Sequence, residues 1–501
     1  MIIFYKNIYK VVFVIALLLI VSGCNNFLTR GNPSNFTSNN YYKTAGEAQS
    51  AVNAIYSSLY PVYQGGYNGS PWQILEFATG EANNGAAQAI YTNSVMNLNQ
   101  SSLNGFVDTW WTSSYHGIAN ANEAISHIPD INIDQNTKNK LMGEARFLRA
   151  YFYFNLVRMF GKVPLITKPQ KFKPSELRAS RDSVQKVYNL IVNDLKVAEK
   201  SGLPFNSSSG RVTLGAVKTL LASVYLTMAG YPLQKGLPYY KKARDEAKSV
   251  IDSGKYSLFQ SYNDLHDPSK NNTGEDIFSV QFKKSIEPNP IQVQILPFEK
   301  GISAYSAETG AIYARSAFVD TYQQQDKRRQ EDQFFYTKFT SQDNRKDTVN
   351  LNNYYLYKFF DVNAQLNTAD SGLNFPILRY AEALLIYAEA ENEVEGPTHS
   401  AYDALNKVRV RAGLQKLSGL NKSQFRIAVW KELWHELCFE NKTWFNMVRL
   451  RKAYNLNTGK FDNFIGHQFT YGPTLAKKDL LFPIPQSELR VDKNLTQNPG
   501  Y

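Results

Sequence analysis

Residues 141–160 constrain the fold more than any other segment, because they are helix-forming and apolar on nearly every side. A helix with a polar face can lie on a protein surface, whereas a helix that is apolar all round must be covered by its neighbours. Gly161 suits the end of such a helix, since glycine readily adopts the left-handed conformation that follows many helices. The segment therefore predicts a buried central helix packed among others.

Four further segments show the helical spacing of apolar residues. In residues 45–60 the apolar positions follow the i, i+3, i+4 rule, and Pro61 ends the pattern. The other three segments are joined by short connections that contain Gly and Pro. They are residues 184–198, 214–229 and 239–251. Together these segments predict a mostly α protein.

An internal similarity indicates how the helices are paired. The triplet Thr219-Leu220-Leu221 corresponds to Ala383-Leu384-Leu385, and each triplet lies in a helix that is rich in small residues and precedes a second helix. Small side chains let two antiparallel helices approach closely, as in tetratricopeptide-like pairs, although the strict repeat of about 34 residues is absent. We predict a tetratricopeptide-like scaffold of helical hairpins, interrupted by long insertions.

The insertions cover about residues 64–105 and 256–372. Both are rich in Gly, Asn, Ser and Tyr and lack helical periodicity, apart from a short apolar strand at residues 276–282. Loops of this length in a compact protein are usually functional. We expect the mature chain, residues 24–501, to form a single domain in which the two insertions bind the ligand.

Residues 1–23 have the features of an export signal. A basic segment precedes eleven unbroken apolar residues, 11–21, which are too few to cross the ~30 Å hydrocarbon core of a bilayer. The junction Val21-Ser22-Gly23-Cys24 resembles a bacterial lipobox, and the alternative is a chance cysteine after an ordinary signal peptide. We predict that Cys24 is lipidated and becomes the N-terminus. The other cysteine, Cys438, then lacks a disulfide partner and is expected to be a buried filler.

Composition bears on the kind of ligand. The formal charge of +12 comes from basic residues scattered among acidic ones, and the export signal argues against nucleic acid as a partner. The chain contains 32 Tyr, 30 Phe and 6 Trp, more aromatic residues than a helical core needs. Aromatic faces with a polar tip suit sugar rings, because the ring covers C–H surface while the tip forms hydrogen bonds.

No catalytic or metal-binding motif is present in the sequence. The six histidines never fall at metal-ligand spacing, and phosphate-binding loops, dinucleotide fingerprints and nucleophile elbows are missing. Asp130, Asn132 and Asp134 alternate as in a calcium loop, but Gln135 and Leu141 replace its essential glycine and glutamate. We expect no metal, no cofactor and no catalytic residue. Paired carboxylates for glycoside hydrolysis stay open as an alternative, since they need not be close in sequence.

Several motifs occur in a fixed order along the mature chain. They start at Cys24-Asn25-Asn26-Phe27-Leu28 and continue with residues 54–60, 110–125, 144–166 and 275–282, and then with residues 378–392, 404–414, 436–450 and 481–501. In this order the motifs resemble the RagB/SusD family of outer-membrane nutrient-binding lipoproteins. The resemblance implies a SusD-like fold, an outer-membrane lipid anchor facing the cell surface, and a SusC-type TonB-dependent transporter as the partner.

The charged and aromatic residues of these motifs are interpreted as fold determinants that form an ion-paired network. They are Arg379, Glu382, Glu436, Glu440, Trp444 and Arg449. The chain departs from the family at Asn441, where glycine is usual, and at Asn446, where aspartate is common. It also lacks an acidic cluster after Cys24.

The functional hypothesis is a non-enzymatic surface protein that captures oligosaccharide or polysaccharide and passes it to the transporter. The predicted ring-stacking residues are Trp72, Tyr67, Tyr91 and Tyr305, and the predicted hydroxyl contacts are Asn83, Asn84 and Gln88. Each of these residues also has a purely structural interpretation. The competing hypotheses are a receptor for peptides or another nutrient, a glycan hydrolase, and a helical scaffold for a surface complex.

Overall fold

The computed structural model describes residues 41–65, 69–85, 89–170, 178–304, 307–340, 347–368 and 370–501. Helices dominate this part of the chain. They are α1 (Ala45–Ser57), α2 (Ile74–Phe77), α3 (Ile90–Met96), α4 (Gly105–His127), α5 (Gln135–Phe160), α6 (Val184–Glu199), α7 (Leu214–Ala229), α8 (Leu237–Asp252), α9 (Ser316–Val319), α10 (Tyr380–Glu395), α11 (His399–Arg411), α12 (Lys422–Glu436), α13 (Thr443–Leu450) and α14 (Gln486–Val491).

Helix α5 is the buried central helix that residues 141–160 predict, and α4 and α6 pack against it. It begins at Gln135, because the Asp134 carboxylate caps the first turn and accepts a hydrogen bond from the Thr137 N–H at 2.8 Å. It ends at Phe160, before Gly161 with a φ of 72°. Asp134, which the sequence excludes as a calcium ligand, is therefore a helix cap.

Consecutive helices form hairpins, as predicted. α5 packs against α6, α7 against α8, and α10 against α11 and α12, while α8 also contacts α10 and so joins the two halves of the scaffold. Fully buried alanines belong to these packed helices: Ala216, Ala222, Ala243, Ala247, Ala383 and Ala388. The mostly α, tetratricopeptide-like scaffold with long insertions is confirmed.

The strands lie mainly in the two insertions. They are β1 (Ala82–Asn83), β2 (Asp276–Val280), β3 (Tyr313–Ala314), β4 (Phe335–Thr340), β5 (Thr348–Leu356), β6 (Phe375–Arg379), β7 (Lys452–Asn455) and β8 (Lys460–Asn463). β2 is the predicted strand and pairs antiparallel with β6, and β7 pairs with β8. The remaining strands form one sheet in the order β1-β3-β5-β4.

This four-stranded sheet joins the two insertions, because β1 comes from the first and β3, β4 and β5 come from the second. Its antiparallel register places Asn83 opposite Tyr313, Tyr313 opposite Tyr355, and Tyr355 opposite Tyr336. Side chains that face each other across neighbouring strands lie on the same face of a sheet. The register therefore aligns one asparagine and three tyrosines in a row across both insertions.

Arg379, at the end of β6, is the centre of a buried ion-pair network. It contacts Glu275 at 3.1 Å, Glu436 at 2.8 Å and Glu440 at 2.8 Å, and Arg411 also contacts Glu275 and Glu436. Burial alone would raise the pKa of Glu436, but Arg411 and Arg379 hold it well below its ordinary range. The network ties α11, α12 and β6 together.

The other predicted fold determinants are buried or paired nearby. Glu382 accepts a hydrogen bond from Lys442 at 2.7 Å, and Arg449 forms a bidentate pair with Glu389 at 2.6 Å. Trp444 is buried. Cys438 is also fully buried, so the predictions of an ion-paired network and of a buried thiol are confirmed.

The C-terminal segment, residues 481–501, runs across the end of the scaffold. The Phe482 N–H donates to the Met159 carbonyl at 2.8 Å, and the Asn498 side-chain amide donates to the carbonyls of Phe160 and Phe482. These bonds attach the segment to the C-terminal end of α5.

Candidate functional site

The predicted ligand residues divide into two groups. Cys24, Tyr67, Gln88 and Tyr305 lie outside the described residues. Trp72, Asn83, Asn84 and Tyr91 are described, and all four belong to the first insertion.

Trp72 is a core residue, which corrects its assignment as a ring that stacks on a ligand. Its side chain is fully buried, and the indole N–H donates to the Gln294 side-chain carbonyl at 3.2 Å. The rings of Phe359 and Phe375 lie 6.0 and 5.6 Å away. A ring that is covered by core side chains presents no face to a sugar, so the binding surface must be built from other residues.

Asn83 and Asn84 lie at the edge of the four-stranded sheet. Asn83 lies opposite Tyr313 of β3 in the antiparallel register. The Asn84 amide donates to the Asn93 side-chain carbonyl at 2.7 Å, which connects the end of β1 to α3. Both asparagines are half-buried. The structure thus brings two predicted residues together with two that the sequence did not single out.

Tyr91, on α3, is half-buried against the start of α4. Its ring lies 5.1 Å from the ring of Phe106, and a Cβ added at Gly105 would come within 3.0 Å of it. The Tyr91 carbonyl accepts a hydrogen bond from Asn104 at 2.9 Å. Tyr91 therefore packs α3 onto the start of α4.

Six neutral residues, contributed by both insertions, form what we name the amide–tyrosine cluster. They are Asn83, Asn84, Asn93, Tyr313, Asn353 and Tyr355. The rings of Tyr313 and Tyr355 lie 5.3 Å apart, and the two side chains are 8% and 7% exposed. Burial raises the pKa of both phenols. At Tyr313 the Arg315 charge and the Asn83 side chain oppose that shift, and at Tyr355 the Asn353 side chain opposes it. Amides and phenols both donate and accept hydrogen bonds, so the cluster is suited to an uncharged, hydroxyl-rich ligand.

Arg315 borders the cluster and fixes the sheet to the C-terminal half. Its Nε donates to the Ala82 carbonyl at 3.0 Å, and its guanidinium lies 3.6 Å from the centre of the Tyr471 ring. Tyr471 in turn stacks on Phe469, with ring centres 5.4 Å apart. No local sequence signal identifies this arrangement, because Ala82, Arg315 and Tyr471 are far apart in the chain.

The described part of the chain offers no group of three or more His, Cys, Asp or Glu side chains that could hold a metal ion. Among the same residues, no helix combines the length and the apolar character that crossing a membrane requires.

Comparisons with known proteins cover residues 26–501. Residues 227–501 match the family described as "SusD family", and residues 26–226 match the family described as "Starch-binding associating with outer membrane". The chain is 28% identical over 531 aligned positions to the SusD-like protein P2 of Formosa agariphila, covering 98% of this chain and 99% of that protein.

Solved structures show the same relationship. A SusD superfamily protein from Parabacteroides distasonis superposes with a TM-score of 0.88 at 39% identity, covering 93% of this chain and 100% of that one. A laminarin-binding SusD-like protein superposes with a TM-score of 0.74 at 24% identity, covering 92% and 100%, which shows a shared fold. On the family match to more than half of the chain and on the 39% relative, the protein belongs to the RagB/SusD family.

Proposed function

We propose that the protein is a lipid-anchored glycan-binding protein of the outer membrane, which captures oligosaccharide or polysaccharide and delivers it to a SusC-type TonB-dependent transporter. The observation that carries this proposal is the amide–tyrosine cluster, to which both long insertions contribute. The cluster has no carboxylate and no basic side chain among its six residues. We therefore expect an uncharged, hydroxyl-rich ligand at these six residues, with the Arg315 guanidinium at their border.

The chemistry of the cluster favours sugars over peptides. Sugar hydroxyls donate and accept hydrogen bonds, as do the side-chain amides of Asn83, Asn84 and Asn353 and the phenols of Tyr313 and Tyr355. A solved structure of the same fold is named a laminarin-binding protein, and another is named a surface glycan-binding protein from Bacteroides uniformis. A peptide or other nutrient is the alternative ligand class.

The protein binds its ligand without chemical conversion in this proposal. Glycoside hydrolysis requires two carboxyl groups that flank the scissile bond. None of the six residues of the cluster supplies one.

In this proposal, lipidation of Cys24 keeps the protein in the same membrane as the transporter. A triacylated N-terminus remains in the membrane, because each buried CH₂ contributes about 0.8 kcal/mol. A transporter in the same membrane then meets the binder at a high effective concentration, so moderate affinity for the transporter is sufficient. Support for this part of the proposal comes from the N-terminal sequence and the family, whose description places it at the outer membrane.

Affinity electrophoresis and calorimetry against a panel of neutral glycans, including laminarin, and a panel of peptides test the proposal. We expect at least one glycan to bind, with no product release. Asn83→Ala or Tyr355→Phe should weaken its affinity roughly two- to twelvefold, since one hydrogen bond contributes roughly 0.5–1.5 kcal/mol. Asn189→Ala and Tyr239→Phe, on α6 and α8, are matched controls outside the cluster.

The outcomes separate the hypotheses. Binding of peptides alone replaces the glycan ligand, and turnover of a glycan refutes a pure binder. If a glycan binds but neither cluster variant weakens it, the site assignment is wrong. Tyr305→Ala then tests whether the predicted aromatic residue of the second insertion carries the contact.

A further inference from the structure

A ligand-sized groove lies away from the amide–tyrosine cluster. It is a groove of about 780 Å³ between the C-terminal end of α5, the start of α6, helix α13 and residues 477–500. We name it the C-terminal groove. Pockets that hold small ligands typically have volumes of about 300–1,000 Å³. The C-terminal groove is therefore large enough for a ligand of ordinary size.

The walls of the groove are largely apolar. The apolar side chains that line it include Val157, Val184, Tyr188, Phe445, Val448 and Leu481. They come from α5, α6, α13 and the C-terminal segment. Such a lining binds hydrocarbon, because apolar surface removed from water contributes about 25 cal/mol per Å².

The charged side chains in the groove lining are all basic. No Asp or Glu belongs to its lining, and five basic side chains there have no carboxylate partner among the described residues. They are Arg158, Lys162, Arg181, Arg451 and Lys477. Two other basic residues of the lining are paired, Arg449 with Glu389 and Lys478 with Asp479. Within the described ranges, carboxylates pair two of the seven basic side chains in the lining and leave the other five without an ion pair.

Arg158 is held in place by two aromatic rings and its own helix. Its guanidinium lies between the rings of Phe154 and Phe445, at 3.7 and 3.6 Å from their centres. Nε donates to the Phe154 carbonyl and Nη2 to the Asn155 side chain at 2.7 Å, which leaves Nη1 without a partner among the described residues. Burial lowers the pKa of Arg158 to about 10. A cation fixed in an apolar setting is stabilised by a bound anion, since the attraction between opposite charges strengthens as water is excluded.

Arg451 and Arg181 frame the groove in a similar way. The Arg451 guanidinium lies over the Tyr231 ring at 4.9 Å and donates only to the Val448 carbonyl within the described residues. Arg181 donates to the carbonyls of Lys162, Phe160 and Thr496, which fixes it between α5 and the C-terminal segment. Both guanidinium groups face neutral partners.

We propose that the C-terminal groove binds a membrane lipid with a phosphate-bearing, anionic head group, whose phosphate meets the unpaired basic side chains and whose acyl chain covers the apolar wall. A neutral glycan would leave the five cations unpaired. An acidic peptide would place backbone N–H and C=O groups against apolar side chains that cannot bond them. The family is associated with the outer membrane, so lipid is available to the protein. This proposal is independent of glycan binding at the amide–tyrosine cluster.

Calorimetry with a soluble short-chain lipid tests the proposal. Dihexanoyl phosphatidylglycerol, below its micellar concentration, is titrated into the purified protein, with dihexanoyl phosphatidylcholine and glycerol phosphate as comparison ligands. We expect one molecule of phosphatidylglycerol to bind, and the other two to bind at least tenfold more weakly, because each lacks either the net charge or the acyl chains.

Variants of the rim locate the binding. Arg451→Gln combined with Lys477→Gln should weaken phosphatidylglycerol at least tenfold, since hydrogen bonds to charged groups contribute about 1.5–3 kcal/mol each. Lys200→Gln, an exposed residue at the end of α6 and outside the groove lining, should have no effect. Arg158→Gln should also weaken binding, and its thermal unfolding is measured to confirm that it folds.

Four results would each overturn the proposal: no binding of phosphatidylglycerol, equal affinity for phosphatidylcholine, equal affinity for glycerol phosphate, or a rim variant that binds like the unaltered protein. Equal affinity for glycerol phosphate would identify a simple anion site. None of these results bears on glycan binding, so the two proposals fail separately.

Discussion

At the scale of single residues, Asn441 explains a departure from the family pattern. Its φ is 57°, in the left-handed region where glycine is unstrained and asparagine is tolerated better than most residues. The Asn441 N–H donates to a carboxyl oxygen of Glu76 at 2.6 Å, and its side-chain amide donates to the Trp72 carbonyl at 2.9 Å. Asparagine therefore supplies both the backbone conformation and a hydrogen bond that glycine lacks.

We predict that Asn441→Ala lowers the free energy of unfolding by about 1–2 kcal/mol, the typical cost of left-handed backbone for a residue with a Cβ. Asn441→Gly should cost less, because it relieves the backbone and loses only the side-chain bond. Urea denaturation of both variants measures the difference. An alanine variant as stable as the unaltered protein would contradict the strained conformation.

Glu76 makes stability depend on pH. Burial raises its pKa from 4.5 to about 8, and the nearby Glu81 is raised as well, by burial and by Glu76. Between pH 4.5 and about pH 8, Glu76 keeps its proton in the folded state and loses it in the unfolded chain. The folded state therefore binds more protons in this range. We predict that this contribution to stability is complete below pH 4.5 and is lost as the pH rises towards about 8.

Glu76→Gln tests this sign, since glutamine is isosteric with the protonated acid and does not titrate. The variant should lose less stability than the unaltered protein between pH 5 and pH 8 in urea denaturation experiments. An unchanged pH profile would show that Glu76 does not titrate in this range.

At the scale of helices and strands, close contacts and buried charges decide how the elements assemble. Gly117 lets α4 approach α5, because a Cβ at this position would lie 2.1 Å from the ring of Phe152. Arg379 joins β6 to the end of α12 through three buried carboxylates. Both features depend on neighbours from a different element.

We predict that Gly117→Ala destabilises the protein by about 1–3 kcal/mol, although alanine has the better helix propensity by about 1 kcal/mol. The control is Gly46→Ala in α1, where the nearest atom to an added Cβ is Thr44 Oγ1 at 3.9 Å. That variant should be stabilised by roughly 0.5–1 kcal/mol. Thermal unfolding of the two variants distinguishes the packing cost at Gly117 from the gain in helix propensity. Equal shifts in melting temperature would contradict the close contact between α4 and α5.

We predict that Arg379→Met lowers the free energy of unfolding by about 3–5 kcal/mol, because it leaves Glu440 and Glu275 buried with fewer partners. The comparison variant is Arg426→Met, which removes the ion pair between Arg426 and Glu393. The Arg426 side chain is 30% exposed. That change should cost at most about 1 kcal/mol. Urea denaturation measures the free energy of unfolding of both variants. Similar losses would show that burial does not determine how much an ion pair contributes to stability.

At the scale of the whole molecule, the scaffold carries two candidate ligand sites in different places. The amide–tyrosine cluster lies where the two insertions meet in the four-stranded sheet, and the C-terminal groove lies where the C-terminal segment crosses the end of α5. One surface is neutral and hydrogen-bonding, and the other is basic and apolar. In our proposals the first binds glycan and the second binds lipid at the membrane to which Cys24 anchors the protein.

We predict that Cys24→Ala releases the protein from the membrane while the folded part stays intact, because the acyl chains are attached at that residue. Fractionation of membranes and soluble proteins, followed by thermal unfolding of the soluble fraction, measures both effects. Persistent attachment of the variant would refute the lipid anchor as the principal membrane contact.

The sequence by itself determined the helical scaffold. Apolar spacing predicts α7 at residues 214–229, the same bounds that the structure shows, because helix formation depends on residues within one or two turns. It also identified the family, since the motifs occur in order along the whole chain. The extension of α5 to Gln135 was missed, because residues 135–140 are polar and only the Asp134 cap indicates that the helix begins there.

The tertiary structure alone decided which residues form the binding surfaces. Trp72 is buried by residues that are distant in the chain, such as its hydrogen-bond partner Gln294, 222 positions away. Asn83 aligns with Tyr313 and Tyr355 only because strands from the two insertions pair. The C-terminal groove likewise combines Arg158, Arg451 and Lys477 from distant elements. Local periodicity carries no information about such long-range contacts, so burial, ligand access and unpaired charge became visible only when the chain was folded.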